Sequence, residues 1–408
     1  MRAYFFERTI AFAVPILTAA QTIMSSVPGY QGAAVIVVSL LFCMAILTRP
    51  SANPGPSGLT YLLLALGAYT LISRVLYLGY QSEQGEAMMA AVLAIPALVW
   101  LAWVRLSPAG LGAVMTWLIY GSAVAALVGS VLTFIVIGQS VNPRGWAQAS
   151  MEISANRNDF SLIYLIALAA LLFMPTKIFP MLRVALIWLL VLGVLLAFSR
   201  SSYAALAVLM LASAIVRRER RLVPIALLFA AGAAALIEGN PIQDRIAYTF
   251  SGRGGFSLDD SSRLRMLIWQ SALRTFAANP VFGAGSGASP MPEVALITYA
   301  HNYYLTQLAQ LGLVGFLLTL GMMVRFFREA ARQVRPVAIF LILSLVILNV
   351  ASITGDPLYG WSLNIFYLLA GAAAWRAVPS RRKTATLSSP PPDRSRASVP
   401  ARISDQLA

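Results

Sequence analysis

Apolar stretches long enough to cross a lipid bilayer recur along this chain, and no other feature restricts its fold as strongly. A helix needs about 20 residues to span the hydrocarbon. Runs such as "LTYLLLALGAYTLISRVLYLGY" (59–80) and "LGAVMTWLIYGSAVAALVGSVLTFIVIG" (111–138) meet that requirement. Segments of alternating period, as in a membrane β-barrel, are absent, so the spans are helices. The chain is 59 % hydrophobic and 11 % charged, with a mean hydropathy of +0.76, whereas soluble domains carry roughly a quarter charged residues. The sequence therefore predicts an all-α polytopic membrane protein.

About twelve spans can be marked, at 9–27, 31–48, 59–80, 87–104, 111–138, 159–175, 180–198, 202–216, 222–238, 301–323, 337–354 and 361–378. The first follows a basic start, "MRAYFFERT", as a signal peptide would, and with so many spans behind it reads as a retained helix. Four regions result: helices 1–9 in residues 1–238, a large polar loop at 239–300, helices 10–12 in 301–378, and a Pro/Ser/Arg-rich tail at 379–408 that reads as disordered. No internal repeat is visible.

Charge assigns the sides. Arg2, Arg8, Arg49, Arg105, Lys177, Arg183, "RRERR" at 217–221, Arg325, Arg328, Arg332, Arg335 and the tail fall in alternate connections. Intervening connections such as "SVPGYQ", "QSEQGE" and "GDPLYG" lack basic residues. The positive-inside rule then puts both termini in the cytoplasm and residues 239–300 outside, in the periplasm of a Gram-negative bacterium. A net charge of +15 thus reflects topology and contact with anionic membrane lipids rather than nucleic-acid binding. One cysteine (Cys43) and one histidine (His301) exclude a disulfide framework and a zinc site of the usual ligand types.

Basic residues outside run against this bias. Arg144, Arg157, Arg200, Arg245, Arg253, Arg263, Arg265 and Arg274 are all arginines, whose planar fork pairs bidentately with phosphate as lysine does not. Several serve as snorkelling helix flanks. In "DDSSRLRMLIWQSALRTFAANP", Asp260, Ser261 or Ser262 can cap a helix that Asn279-Pro280 ends. At 100° per residue Arg263, Gln270 and Arg274 share its polar face, while Arg265 lies among Trp269, Ala272 and Phe276 on a face suited to burial. A charge there needs a partner. Stacking on Trp269 is the plain alternative for it. Arg200 stands in "FSRSS" at the outer end of a span, and Arg74 is the one charge well inside a span, where a charge is a functional hypothesis by default. "GAGSG" (283–287) reads as tight turns near the headgroup rather than a dinucleotide loop. His301, in "ITYAHNYYLTQ", falls where the polar loop meets the tenth span, either as a helix-start residue or as a base.

Taken in order, "SANRNDFSLIYLIAL", "FSRSSYAAL", "RMLIWQSALRTFAANPVFGAGSG" and "HNYYLTQLAQLGLVGFLL" resemble the signature region of the O-antigen ligase and polysaccharide polymerase family, over roughly residues 150–325. The resemblance implies a membrane glycosyltransferase of the bacterial inner membrane, with its active site facing the periplasm. The donor would be a polyprenyl-diphosphate-linked oligosaccharide and the acceptor a glycan or lipid A-core sugar. The activity would be inverting and metal-independent, with no cofactor. By matching motif, His301, Arg265 and Arg200 inherit the catalytic roles, and Arg263, Asn302 and Arg74 are candidates for binding the donor. The second arginine of "SSRLR" departs from the pattern and leaves Arg263 and Arg265 both open for contact with the diphosphate. Ligase and polymerase differ only in acceptor, and the ligase reading is preferred. From another class, a flippase or secondary transporter would have about as many spans, but those folds place polar groups near the midplane of related halves, whereas here they gather in one outer loop.

The topology is testable with single cysteines in a Cys43→Ser background. Ser257→Cys should react with an impermeant thiol reagent in intact spheroplasts, and Ser388→Cys only after the membrane is opened. Labelling of position 257 only after opening would contradict the assignment.

Overall fold

The computed structural model describes residues 5–24, 58–78, 108–139, 157–197, 200–217, 260–286, 288, 300–354 and 369–370. Every regular element among them is an α-helix: α1 Phe5–Met24, α2 Gly58–Leu78, α3 Pro108–Gln139, α4 Arg157–Phe173, α5 Pro180–Leu196, α6 Arg200–Arg217, α7 Asp260–Ala278, α8 Tyr303–Ala331 and α9 Arg335–Thr354. Leu111–Val131, Tyr303–Ala331 and Arg335–Ile353 are long and apolar enough to cross a membrane, and shorter apolar helices accompany them. This is the helix set of a multi-pass membrane protein. The helices lie where the apolar runs place them, to within a few residues. The expected spans at 31–48, 87–104 and 222–238, most of 361–378 and the tail lie outside the described residues, as does most of the 239–300 loop.

A helix that is apolar all round belongs in the middle of a bundle. Helix α4 is that helix: Ser161 through Met174 are all buried, and α3, α5, α6 and α9 pack around it. Its one hydroxyl near the start, Ser161, is satisfied by Ser202 of α6. That contact registers the first turns of α4 and α6, so Arg157 and Arg200, the first residues of those helices, stand at the same end of the bundle. Pro180 at the first helical position of α5 needs no N–H partner there, which suits proline to helix starts.

The expected tenth span, 301–323, is not one helix. Gly312 has φ 63° and ψ −162° inside α8. Thr319 Oγ1 lies 3.2 Å from Gln307 Oε1, although these residues would sit about 18 Å apart along a continuous helix. The chain therefore folds sharply at Gly312, into a short arm (303–311) and a long arm (313–331). The long arm measures about 28 Å at 1.5 Å per residue, which matches a bilayer core of about 30 Å. The short arm is left over. Apolar periodicity runs through "QLAQLGLVGFLL" without interruption, so the break is invisible to hydropathy.

What breaks the helix is the glycine loop after α7. Leu313 and Val314 would donate to Ala309 and Gln310 in an unbroken helix. They donate instead to the carbonyls of Pro280 (2.9 Å) and Val281 (3.2 Å), while the Ala309 and Gln310 carbonyls accept from Ala284 and Gly285 (2.9 Å each). Two helical bonds are exchanged for four between loop and helix. Tyr69 of α2 closes the junction, its hydroxyl shared between the carbonyls of Leu311 (3.0 Å) and Phe282 (3.1 Å), and Ser73 Oγ accepts from Ser286 N–H. At its other end the long arm holds α2 through Arg325, whose guanidinium lies against Gly58 and pairs at 2.6 Å with the buried Glu329 carboxylate. Arg332 approaches the same carboxylate at 3.6 Å. Helix α2 thus runs antiparallel to the long arm, with Tyr69 and Ser73 at the junction end.

Backbone meets backbone at this junction, so no side chain fits. A Cβ on Gly312 would stand 2.4 Å from the Val281 carbonyl oxygen, and one on Gly283 (φ 75°) 2.3 Å from Gln310. A Cβ on Gly321, further along the long arm, would meet nothing closer than Leu62 at 3.9 Å. Gly312→Ala and Gly283→Ala should each lower the thermal midpoint of the detergent-solubilised protein by several degrees, since strained φ alone costs about 1–3 kcal/mol. Gly321→Ala should leave it unchanged or raise it, because alanine is the better helix former by roughly 1 kcal/mol. Equal behaviour of the three variants would refute the junction.

Candidate active site

The junction fixes the short arm of α8, and the short arm begins at the one histidine. Asn302 is its N-cap: the side-chain Oδ1 accepts from the N–H groups of Tyr304 and Leu305, both at 3.1 Å, which satisfies donors that a helix start leaves open. His301 precedes the cap with φ 50°. Among the described residues it is the one non-glycine in the left-handed region, a conformation that is uncommon for residues with a side chain and that clusters at functional sites.

The chain on either side of His301 is held. Ala300, fully buried, donates its N–H to Thr306 Oγ1 at 3.0 Å and accepts at its carbonyl from the indole Nε1 of Trp269 at 2.9 Å. Trp269 and Leu305 pack around a small apolar cluster of Ile268, Ala272, Ala300 and Ala309. On the far side, Tyr304 donates its hydroxyl to Asn349 Oδ1 of α9, the helix that also packs on α4 and α6. Between these anchors the His301 side chain is exposed.

Helix α7 supplies the charge. Its burial follows the helical wheel: Ile268 and Ala272 are buried, Arg265, Trp269 and Phe276 are partly buried, and Gln270 and Arg274 are exposed. Arg265 therefore lies on the packed face, one turn before Trp269, and not beside Arg274. Its guanidinium acts on His301. The protein packed around the imidazole, and after it the Arg265 charge, hold the His301 pKa below its ordinary value of 6.5. Crowding and a like charge both oppose protonation, which favours the neutral ring, the form that can accept a proton.

The other expected residues fall as follows. Arg200 opens α6, at the end of the bundle where Arg157 opens α4. Arg263 lies in the first turn of α7, and the helix starts at Asp260, so Ser261 and Ser262 lie within that turn and not ahead of it. Arg74 follows Ser73, whose hydroxyl meets Ser286 of the glycine loop. It stands within α2, towards its junction end. Asn302 has a structural task as the cap. Gly283 and Gly285, at φ 75° and 105°, make the tight turns that "GAGSG" predicts, and those turns serve to enter the break in α8.

Residues 185–320 match the family model described as O-antigen ligase. That stretch is similar to O-antigen ligase domains over about a third of the chain. No curated protein matches the chain. The matched stretch takes in most of α5, all of α6 and α7, and the break in α8, so Arg200, Arg263, Arg265, His301 and Asn302 lie inside it and Arg74 outside. An O-antigen ligase or polymerase type of function follows, as a glycosyltransferase-like membrane enzyme using a lipid-linked glycan donor and a glycan acceptor. Hydropathy misses three contributors: Gly312, Tyr69 and the indole N–H of Trp269. Of these only Gly312 leaves a mark in the sequence, as a glycine inside a helical pattern, which usually signals a packing reason.

Proposed function

We propose that this protein transfers a glycan from a polyprenyl-diphosphate carrier to a sugar hydroxyl of lipid A-core, on the periplasmic side of the bacterial inner membrane. What supports this reading is that His301, whose pKa is held below its ordinary value by the surrounding protein and then by the Arg265 charge, lies with that arginine inside the matched stretch. The acceptor hydroxyl attacks the anomeric carbon as the bond from that carbon to the diphosphate oxygen breaks. His301 takes the hydroxyl proton, a task for which a base of near-neutral pKa is suited. The departing diphosphate keeps the bonding pair, and Arg265, with Arg200 and Arg263 in support, stabilises its charge in the way fixed donors do. Arg74 and Asn302 border the donor at the junction. One displacement inverts the anomeric configuration, and arginines in place of a divalent ion make the reaction metal-independent.

Accumulated donor distinguishes the acceptor. A deletion strain should build up long lipid-linked glycan on the periplasmic leaflet. Accumulation of single repeat units would assign a polymerase instead, and accumulation on the cytoplasmic leaflet a flippase.

His301→Ala and His301→Gln should each reduce transfer by about 10²- to 10⁴-fold, the usual cost of losing a general base, while donor binding persists. Arg265→Lys should lose most activity because the ammonium lacks the bidentate fork, and Arg274→Lys should be nearly silent. The wild-type rate should fall on acidification only below the ordinary imidazole pKa of about 6.5, since the protein around the ring and the Arg265 charge favour its neutral form. Substantial transfer by His301→Ala, or equal loss in the two lysine variants, would refute these roles.

A further inference from the structure

Two polar groups converge on the residue before His301. The Trp269 indole binds the Ala300 carbonyl (2.9 Å), the Thr306 hydroxyl binds its N–H (3.0 Å), and Ala300 itself is fully buried among Ile268, Ala272 and Ala309. The next residue then leaves the packed layer in a left-handed turn. A buried residue whose N–H and carbonyl are both held has one orientation. The φ of His301 and the direction of its side chain follow from that orientation.

Trp269 is also placed to link two parts of the site. It lies four residues after Arg265 on α7, hence on the same face, and its hydrogen bond spans 31 residues of sequence to reach Ala300. Through one indole, the helix that carries the arginine grips the segment that carries the histidine. Around that hydrogen bond, Ile268, Ala272, Ala300 and Ala309 form an apolar cluster.

We propose that Trp269, with Thr306, is a positioning residue for His301, setting the distance and direction of the imidazole relative to Arg265. This rests on His301 acting as the base of the transfer reaction. Trp269 touches neither substrate nor the reacting atoms. It acts through the Ala300 peptide. Its removal should therefore impair turnover without weakening substrate binding and should loosen the field of Arg265 on the imidazole. Helix α7 brings Arg265 to this segment, while α9 meets it through the neutral Asn349, so Arg265 is the charge whose field would change.

The test compares pH–rate profiles of the purified full-length protein, using a polyprenyl-diphosphate glycan and a lipid A-core acceptor. Trp269→Phe keeps the ring in the apolar cluster and removes only the donor. It should lower kcat roughly 10- to 100-fold, the range expected when a catalytic group is misplaced by about 1 Å, with KM unchanged, and the acid limb should move to higher pH as the imidazole escapes Arg265. Thr306→Val should do the same and Thr306→Ser should recover the wild-type profile. A rate loss with an unmoved acid limb, or a rise in KM alone, would overturn the positioning role while leaving the base intact. Absence of an acid limb in the wild type would instead overturn the base assignment on which the role rests.

Discussion

The exchange of backbone hydrogen bonds at Gly312 is the interaction on which the rest of this structure depends. A helix broken near a membrane leaves N–H and C=O groups without water to satisfy them, at a cost of several kcal/mol each. Here the loop at 280–285 supplies the missing partners, two donors and two acceptors in register, and the Tyr69 hydroxyl covers the next carbonyl. The break becomes a rigid joint. It separates a long arm of membrane length from a short arm that holds the histidine, and it ties both to α2 and to the end of α7. The requirement for glycine at 283 and 312 follows, since the two backbones touch at distances that admit no Cβ.

From that joint the site is assembled by ordinary means. The short arm is capped by Asn302, braced to α9 through Tyr304 and Asn349, and braced to α7 through Trp269. Each brace uses a polar atom on an otherwise apolar or aromatic body, which is how a side chain fixes direction while packing. Their sum places an exposed imidazole where Arg265 acts on it. A guanidinium near a base is electrostatically useful in two ways: it keeps the imidazole unprotonated, and it presents a fork to a diphosphate. In the proposed reaction one charge would serve the proton acceptor and the leaving group together.

Much of this was legible in the sequence, for physical reasons that differ between elements. Spans such as α3, α4 and α9 declare themselves because the bilayer demands an apolar length. The face of α7 was readable because its polar and apolar residues segregate at 100° per residue, so Arg265 separates from Gln270 and Arg274 as the burial of that helix confirms. The break in α8 was hidden, since Gly312 falls in an apolar run whose periodicity does not change across it. Trp269 suggested a stacking platform for Arg265, whereas its N–H has a carbonyl partner 31 residues away across the loop, a pairing no local pattern encodes. Asn302 was a donor-binding candidate through the family motif, and the structure adds that its side-chain oxygen caps a helix.

The chain has one histidine, so its titration can be followed directly in the full-length protein by nitrogen-15 NMR of histidine-labelled material. The account predicts a single imidazole with a pKa below 6.5, rising toward that value in Arg265→Gln and unmoved in Arg274→Gln. An imidazole that titrates at its ordinary value in the wild type, or one indifferent to the loss of Arg265, would contradict the claim that the folded chain sets His301 against that arginine.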